Sequence, residues 1–210
     1  MVITDIERHP RADAVRNADR ILRAARVVFA ETGPDASLED IARHAGVGIR
    51  TLYRHFPNKA DLVRAVLGQS ISEDLAPAIE RALDDENPRD GLVNLIDAAM
   101  SLADREHNTF AAARMASSLP ADVSTVFYET LTGLMHRAQE AGLIRADLVP
   151  ADLPRIMGML FSTLWNMAPE SDGWRRYLAL VLEGVSPATA NPLPPRGRSG
   201  ETSRLSGSST

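Results

Sequence analysis

The sequence predicts an all-α fold, and two observations lead to that prediction. Apolar residues recur at spacings of three and four along most of the chain, which is the periodicity of one helix face. No segment shows the alternating pattern of a strand followed by a hairpin turn. Breaks at proline, glycine and asparagine divide the chain into about nine predicted helices.

The first helix is expected over residues 12–32. Its apolar face carries six residues at helical spacing: Ala18, Ile21, Leu22, Ala25, Val28 and Phe29. Gly33 supplies a left-handed conformation at the C-terminus and Pro34 cannot continue the helix, so we expect the helix to end at Thr32.

Three shorter helices are expected next. The Ser37 hydroxyl caps the second helix, and Gly46 suits a tight turn that needs a positive φ. The third helix covers about 48–56 and ends there because Pro57 disfavours helical geometry in the preceding residue. Asn58 then caps the fourth helix.

Prolines, glycines and asparagines set the remaining boundaries. The later helices are predicted over 58–84 with a kink at Pro77, then 90–105, 108–118, 121–141, 151–168 and 172–185. From 186 the composition turns to Pro, Gly, Ser and Thr, which predicts a disordered tail. The expected organisation is a flexible N-terminus at 1–11, a three-helix domain at 12–64, a second helical domain at 65–186 and the tail at 187–210.

Composition excludes several classes of protein. The chain has no cysteine, which excludes disulfides, thiolate–metal sites and a cysteine nucleophile. Residues 1–20 lack the apolar core of a secretory signal, and no run approaches the roughly 18 apolar residues of a membrane span. We therefore expect a soluble cytoplasmic protein without a membrane partner.

The charge is divided unevenly along the chain. Residues 1–64 hold 11 Lys and Arg against 9 Asp and Glu, a net of +2, whereas residues 65–210 hold 12 against 19, a net of −7. The first third can therefore face phosphate although the whole chain carries −5. Lys59 is the only lysine.

The second and third helices have the elements of a helix-turn-helix, because two short helices are joined by a short turn that contains glycine. Five apolar residues are spaced to close the contact between them: Ile41, Ala42, Ala45, Val47 and Leu52. With Leu52 and Phe56 facing inward, Arg50, Thr51, Arg54 and His55 fall on other faces of the third helix.

These side chains fit contacts with double-stranded DNA. Arginine pairs with guanine or phosphate, and threonine contacts a thymine methyl or a phosphate. Tyr53 and His55 can donate to phosphate oxygens, and Lys59 adds a cation at a helix N-terminus. Any one of these residues fits a solvated surface equally well, but their combination with the turn favours DNA binding.

Three segments, SLEDIA at 37–42, GVG at 46–48 and TLYRHFPNK at 51–59, resemble the N-terminal domain of the TetR family of transcriptional regulators. The resemblance covers residues 12–64 and implies that the third helix enters the major groove. It implies DNA contacts by Ser37, Gly48, Ile49, Arg50, Thr51, Tyr53, Arg54, His55 and Lys59. Base-edge roles are implied near Ile49, Arg50 and Arg54, but the spacing of Ile49 is equally compatible with inward packing.

Beyond residue 64 the resemblance is one of architecture. It implies that the last two ordered helices form a four-helix dimer interface, with candidates Ile156, Met159, Leu160, Leu164, Leu178, Val181 and Leu182. A small-molecule pocket has the candidates Met100, His107, Phe110, Met115, Phe127, Leu131, Met135 and Trp165. Packing in the protomer core is the alternative for both sets.

The resulting hypothesis is a homodimeric repressor that binds a palindromic operator and is released by a small-molecule effector. Two alternatives are a ligand-responsive activator and a helical small-molecule-binding protein without DNA function. A helical enzyme or metal protein is a further alternative, but the sequence has no HExxH, paired-Glu, GxSxG or phosphate-binding glycine motif. No catalytic residue, metal ligand or cofactor is therefore predicted.

Overall fold

The computed structural model describes residues 10–116, 121–167, 172–187 and 191–194. These residues contain ten α-helical segments: α1 (Pro10–Thr32), α2 (Leu38–Ala45), α3 (Ile49–His55), α4 (Lys59–Ser70), α5 (Ala76–Asp84), α6 (Pro88–Arg105), α7 (His107–Met115), α8 (Ala121–Glu140), α9 (Leu153–Trp165) and α10 (Trp174–Gly184). No strand occurs among them, and the all-α prediction is confirmed. The remaining parts of the predicted N-terminal segment and tail, 1–9, 188–190 and 195–210, lie outside the described residues.

Local capping sets the ends of the first helices as expected. Gly33 and Gly46 have φ values of 89° and 64°, so both adopt the left-handed conformation that glycine favours. The Ser37 side chain accepts a hydrogen bond from the Asp40 N–H, and the Asn58 side chain accepts one from the Asp61 N–H. These caps satisfy N–H groups that have no partner inside a helix.

A π-helical stretch lies just before Pro77, where the sequence predicts a kink. Ile71–Leu75 is π-helical and joins α4 to α5 without a break, so the described residues form nine helical rods. Pro77 lies in the first turn of α5 and has no N–H to donate to the preceding turn. A π-helical turn is a common way to absorb such a lost bond inside a helix.

The helices pack as two groups that share one hydrophobic core. In the first group α1 packs against α2 and α4, and α2 packs against α3; in the second, α6 packs against α5, α8, α9 and α10. α7 connects the groups because it contacts α1 and α4 of the first group and α6 of the second. The boundary predicted at 64–65 falls inside α4, whose buried side chains belong to the common core.

Several boundaries differ from the expected ones. Pro10 and the residue after it were expected to be flexible but begin α1. α7 ends at Met115 rather than 118, and a 3₁₀ turn at Pro150–Asp152 precedes α9, which ends at Trp165 rather than 168. No described helix is both long and apolar enough to span a bilayer.

Part of the predicted disordered tail has a defined place. Arg145 pairs with Asp147 and donates hydrogen bonds to the carbonyls of Gly184, at 3.1 Å, and Asn191, at 2.8 Å. The Leu193 N–H donates to the Asp147 carboxylate at 2.8 Å. We call this group the Arg145–Asp147 clasp. It holds residues 191–194, which belong to the predicted disordered tail, against the end of α10.

Candidate nucleic-acid interface

The turn between α2 and α3 is held by backbone hydrogen bonds and a buried seam. The Gly46 N–H donates to the Arg43 carbonyl at 3.1 Å, and the Val47 N–H donates to the Ala42 carbonyl at 3.0 Å. Ile41 and Leu52 are fully buried where the two helices meet. The relative orientation of α2 and α3 is therefore fixed from both the backbone and the core.

Arg20 braces the turn from α1. Its Nη2 atom donates to the Ala45 carbonyl at 2.7 Å and to the Gly46 carbonyl at 3.3 Å. These carbonyls lie at the C-terminal end of α2, where a cation is favourable and acceptors lack partners within the helix. Arg20 could not be predicted from helical spacing, because its contacts join positions 25 and 26 residues apart.

The outer face of α3 is cationic. Arg50, Tyr53 and Arg54 are exposed, and Thr51 is half-buried. Among the described residues, neither Arg50 nor Arg54 lies within salt-bridge distance of a carboxylate, whereas Arg43 of α2 is paired with Asp40. The two arginines of α3 are thus available to an external anion.

The start of α3 presents backbone and a half-buried side chain. Gly48 is the exposed N-terminal cap residue of α3, and its carbonyl accepts a hydrogen bond from the Thr51 N–H at 2.8 Å. Ile49 is partly buried and packs against the hydrophobic core. Inward packing therefore uses part of its surface and leaves the remainder beside Gly48.

Ser37 and His55 are more constrained than their sequence positions indicate. The Ser37 hydroxyl accepts from the Asp40 N–H at 3.1 Å and donates to the Asp40 carboxylate at 2.7 Å, so its single proton is already used. His55 is half-buried, and its buried Nε2 atom has no hydrogen-bond partner among the described residues. Donation from Nε2 to a phosphate requires the ring to turn outward.

Lys59 is the first residue of α4 and lies over an aromatic ring. Its Nζ atom is 5.7 Å from the centroid of the Phe29 ring. Partial burial lowers the pKa of Lys59, and the nearby Asp35 carboxylate opposes that shift. Lys59 thus places a positive charge beside the N-terminus of α4, a position that favours anions.

The predicted ligand residues separate into three groups. Met100, Leu131 and Met135 are fully buried and Phe127 nearly so, which makes them core residues rather than the wall of an open pocket. Met115 is 69% exposed at the end of α7, so it does not line a pocket either.

Phe110 and Trp165 remain, and both line a cavity of about 480 Å³ between α7 and α9. His107 lies behind this wall with its ring centroid 4.6 Å from that of Trp165. Arg114 and Phe161 also line the cavity and were not predicted. The sequence does not show that these two residues share a cavity, because Arg114 is at the end of α7 and Phe161 is in the middle of α9.

The predicted dimer residues also divide. Leu160, Leu164 and Leu178 are at most 4% exposed because they pack inside the protomer, so they are not available to a partner and the prediction is wrong for them. Ile156, Val181 and Leu182 are partly buried. Met159 is 57% exposed. Tyr177 and Leu180, which were not among the predicted residues, are also exposed, at 40% and 59%.

An all-helical chain in which a braced two-helix unit exposes a cationic second helix defines the class of helix-turn-helix regulators. Residues 21–66 match the family described as bacterial regulatory proteins, tetR family. The crystal structure of TetR transcriptional regulator SCO0520 from Streptomyces coelicolor is similar with a TM-score of 0.56 and 32% identity, covering 82% of this chain and 99% of that one. The chain belongs to the TetR family, whose members are transcriptional regulators and not enzymes.

Similarity in sequence to two other regulators covers a smaller part of the chain. The HTH-type transcriptional regulator SAB2452 of Staphylococcus aureus is 40% identical over 63 residues, which is 30% of this chain and 34% of that protein. The HTH-type transcriptional repressor LfrR of Mycolicibacterium smegmatis is 40% identical over 81 residues, or 39% of this chain and 42% of that protein. The chain thus spans between a third and a half of the length of these two relatives.

Proposed function

We propose that this protein is a cytoplasmic repressor that binds a palindromic DNA operator as a homodimer and leaves it when a small-molecule effector binds. The observation that carries the proposal is the cationic outer face of α3. Arg50 and Arg54 are exposed there without a carboxylate partner among the described residues, next to exposed Tyr53. A solvent-exposed pair of unpaired arginines on a braced helix fits a phosphate-lined groove.

In this proposal α3 lies in the major groove. Arg50 and Arg54 read base edges, because a guanidinium pairs bidentately with guanine. Thr51, Tyr53 and Lys59 contact phosphates and set the register of the helix on the duplex. Ser37, Gly48, Ile49 and His55 complete the contact surface, with Ser37 and His55 contributing after local rearrangement of the side chains.

Fluorescence anisotropy with the DNA upstream of the protein's own gene tests the proposed role of α3. We expect Arg54→Ala to change the sequence preference, and Lys59→Ala to weaken all duplexes alike and lower the slope of log affinity against log salt by about one. Arg81→Ala, which removes an exposed charge on α5 outside the proposed DNA and dimer surfaces, is the matched control and should leave binding unchanged. Absence of any sequence-specific complex at moderate salt contradicts the proposal.

Exposed apolar residues on α9 and α10 support the homodimer. Met159, Tyr177 and Leu180 leave water when these two helices pack against the same helices of a second copy. Such a two-fold arrangement presents two copies of α3 to successive turns of one face of the duplex, about 34–36 Å apart. A palindromic operator follows from that symmetry.

A buried polar cluster supports communication between the two groups of helices. Glu106, at the α6–α7 junction, is 6% exposed and pairs with Arg26 of α1 at 2.8 Å. It also accepts hydrogen bonds from Ser70 of α4 at 3.0 Å and from Thr109 of α7 at 3.1 Å. We call this the Glu106 cluster. A ligand that displaces α7 therefore acts on the helices that position α3.

Repression is favoured by one relative. LfrR of Mycolicibacterium smegmatis is called a transcriptional repressor, and 81 of this chain's residues align with it. A reporter gene behind the protein's own promoter tests the sign of regulation: deletion of the protein should raise expression. A fall in expression on deletion identifies an activator instead.

A further inference from the structure

The cavity between α7 and α9 is aromatic and carries a positive charge. Phe110, Phe161 and Trp165 supply aromatic walls, and Arg114 and Ser162 supply polar groups. None of the described lining residues is a carboxylate. The volume of about 480 Å³ lies within the range of roughly 300–1,000 Å³ that ligand sites usually have.

Arg114 lines this cavity without a carboxylate partner among the described residues. Its guanidinium carbon is 5.2 Å from the centroid of the Trp165 ring, which is a cation–π contact. Arg114 is exposed, and no salt bridge joins it to a carboxylate within the described part of the chain. The guanidinium is held by a ring rather than by an anion, so its hydrogen-bond donors are available to a ligand.

Trp165 also contacts a second ring. The His107 ring lies 4.6 Å from the Trp165 ring and is tilted by 56° to it. The indole is therefore an aromatic surface that is already in contact with both His107 and Arg114. A flat ring that binds in the cavity contacts this surface without reorganising it.

We propose that the cavity binds a planar aromatic carboxylate. The ring system packs among Phe110, Phe161 and Trp165, and the carboxylate accepts two hydrogen bonds from the Arg114 guanidinium, a geometry that arginine supplies and lysine does not. The inference that such a compound is the effector rests on the proposed function, in which a ligand releases the protein from DNA. Binding itself does not depend on DNA and is measured without it.

The charge of the cavity favours aromatic carboxylates over cationic and neutral aromatic ligands. A cationic aromatic ligand meets Arg114 and no described carboxylate, so Coulomb repulsion opposes its binding. A neutral aromatic ligand of the same shape covers the guanidinium without supplying a counter-charge, which costs free energy of desolvation. Only an anionic ring compound matches both the walls and the charge.

Isothermal titration of the full chain with 2-naphthoate, 2-naphthamide and 2-naphthylmethylammonium tests the proposal. We expect 2-naphthoate to bind about tenfold or more tightly than the amide, because one charge-assisted pair separates the two ligands. Tryptophan fluorescence should fall as the ligand stacks on Trp165. Equal affinity for all three compounds, preference for the ammonium compound, or no binding overturns the proposal.

Arg114→Met separates the guanidinium from the rest of the site. This substitution at an exposed position keeps an unbranched stem and removes the guanidinium, and we expect it to reduce 2-naphthoate affinity to that of the amide while leaving amide affinity within about twofold. Arg81→Met, on α5 outside the cavity and outside the proposed dimer surface, is the charge control and should bind like the unaltered protein. A carboxylate preference that survives in Arg114→Met overturns the proposal.

A parallel anisotropy titration distinguishes the ligand site from regulation. Release of operator DNA by 2-naphthoate but not by the ammonium compound supports both proposals. Specific 2-naphthoate binding without release supports the ligand site and contradicts the effector step of the proposed function. If the protein binds no DNA at all, the DNA proposal fails, while the titration without DNA still decides the ligand site.

Discussion

At the scale of single residues, Arg20 controls the geometry of the interface without belonging to its outer face. Two carbonyls at the end of α2 accept hydrogen bonds from one guanidinium nitrogen of Arg20. A methyl group on Gly46 would lie 2.9 Å from the same nitrogen, so Gly46 is needed for its φ and for the close approach of Arg20. The turn and its brace thus depend on each other.

Arg20→Ala is expected to lower stability by about 1–2 kcal/mol, because it removes a charged donor from carbonyls at the end of a helix. DNA affinity should fall as well, since the orientation of α2 against α1 loosens. Urea denaturation and anisotropy measure the two effects. Arg23→Ala is the matched control, being an exposed arginine on the same helix with no ion pair among the described residues. If both variants lose the same affinity, general charge rather than the brace explains the result.

At the scale of elements, close approach decides which helical glycines can be replaced. A methyl group on Gly91 of α6 would lie 2.6 Å from the Ala82 carbonyl oxygen of α5 and 3.3 Å from Leu134 of α8. A methyl group on Gly133 of α8 would have no neighbour within 4 Å. The first glycine lets three helices pack closely, and the second has no such role.

Gly91→Ala is therefore expected to destabilise the protein by about 1–3 kcal/mol through overpacking. Gly133→Ala should stabilise it by about 0.5–1 kcal/mol, because alanine has the higher helix propensity. Urea denaturation of both variants gives the comparison. The same sign of change for both substitutions contradicts this account of the α5–α6–α8 contact.

The Arg145–Asp147 clasp gives the connection from α8 to α9 a pH dependence. The hydrogen bond from Arg145 and then the bond from the Leu193 N–H hold the pKa of Asp147 well below its ordinary value of 3.8. A carboxyl whose pKa is lowered by folding stabilises the native state fully above the ordinary value. That contribution is lost as the pH falls from 3.8 toward the lowered pKa.

Asp147→Asn is accordingly expected to lower the midpoint of thermal unfolding at neutral pH, and the difference from the unaltered protein should persist down to about pH 4 and shrink below it. Glu140→Gln is the control, because Glu140 is an exposed carboxylate at the end of α8 without an ion pair among the described residues. A difference that already vanishes near pH 6 shows that the clasp does not titrate in this way.

The contrast between these elements explains how far sequence reasoning reaches. Caps at Ser37, Gly33, Gly46 and Asn58 are local, so a short segment is enough to predict them. The brace from Arg20 joins separate helices, and a periodic pattern carries no information about such a contact. The all-α class and the exposed α3 arginines were therefore predictable, whereas the brace was not.

The faces that α9 and α10 bury could not be predicted from the sequence for a different reason. α9 is apolar around much of its circumference, so periodicity cannot separate the side that faces the core from the side that faces a partner. Leu160 and Leu178 are buried in the protomer, whereas Met159 and Leu180 are exposed. The packing of α6 against both helices makes this choice.

At the scale of the whole molecule, the exposed face of α9 and α10 predicts the oligomeric state. Leu180→Glu places a charge in the proposed interface and should convert the dimer to a monomer, with loss of operator binding. Leu83→Glu is the control, because Leu83 is 49% exposed on α5, outside that face. Analytical ultracentrifugation measures both. A Leu180→Glu protein that remains dimeric places the interface elsewhere.

The Glu106 cluster connects the two groups of helices, and its contribution can be isolated by a double-mutant cycle. Glu106 is 6% exposed, so its pair with Arg26 is screened far less than the surface pair of the adjacent Arg105 with Asp74, whose side chains are 50% and 39% exposed. We expect a coupling free energy of about 1–3 kcal/mol between Arg26→Met and Glu106→Gln. The cycle for Arg105→Met and Asp74→Asn should give about 0–1 kcal/mol.

Stability alone does not assign the cluster a regulatory role, so the same variants need a second measurement. Because Glu106 holds α1, α4 and α7 together, Glu106→Gln should weaken the response of DNA binding to a ligand in the α7–α9 cavity while ligand affinity changes little. Asp74→Asn should leave the response intact. If the Glu106→Gln protein is less stable yet releases DNA as completely as the unaltered protein, the cluster has only a structural role. Communication must then run through the packing of α7 on α4.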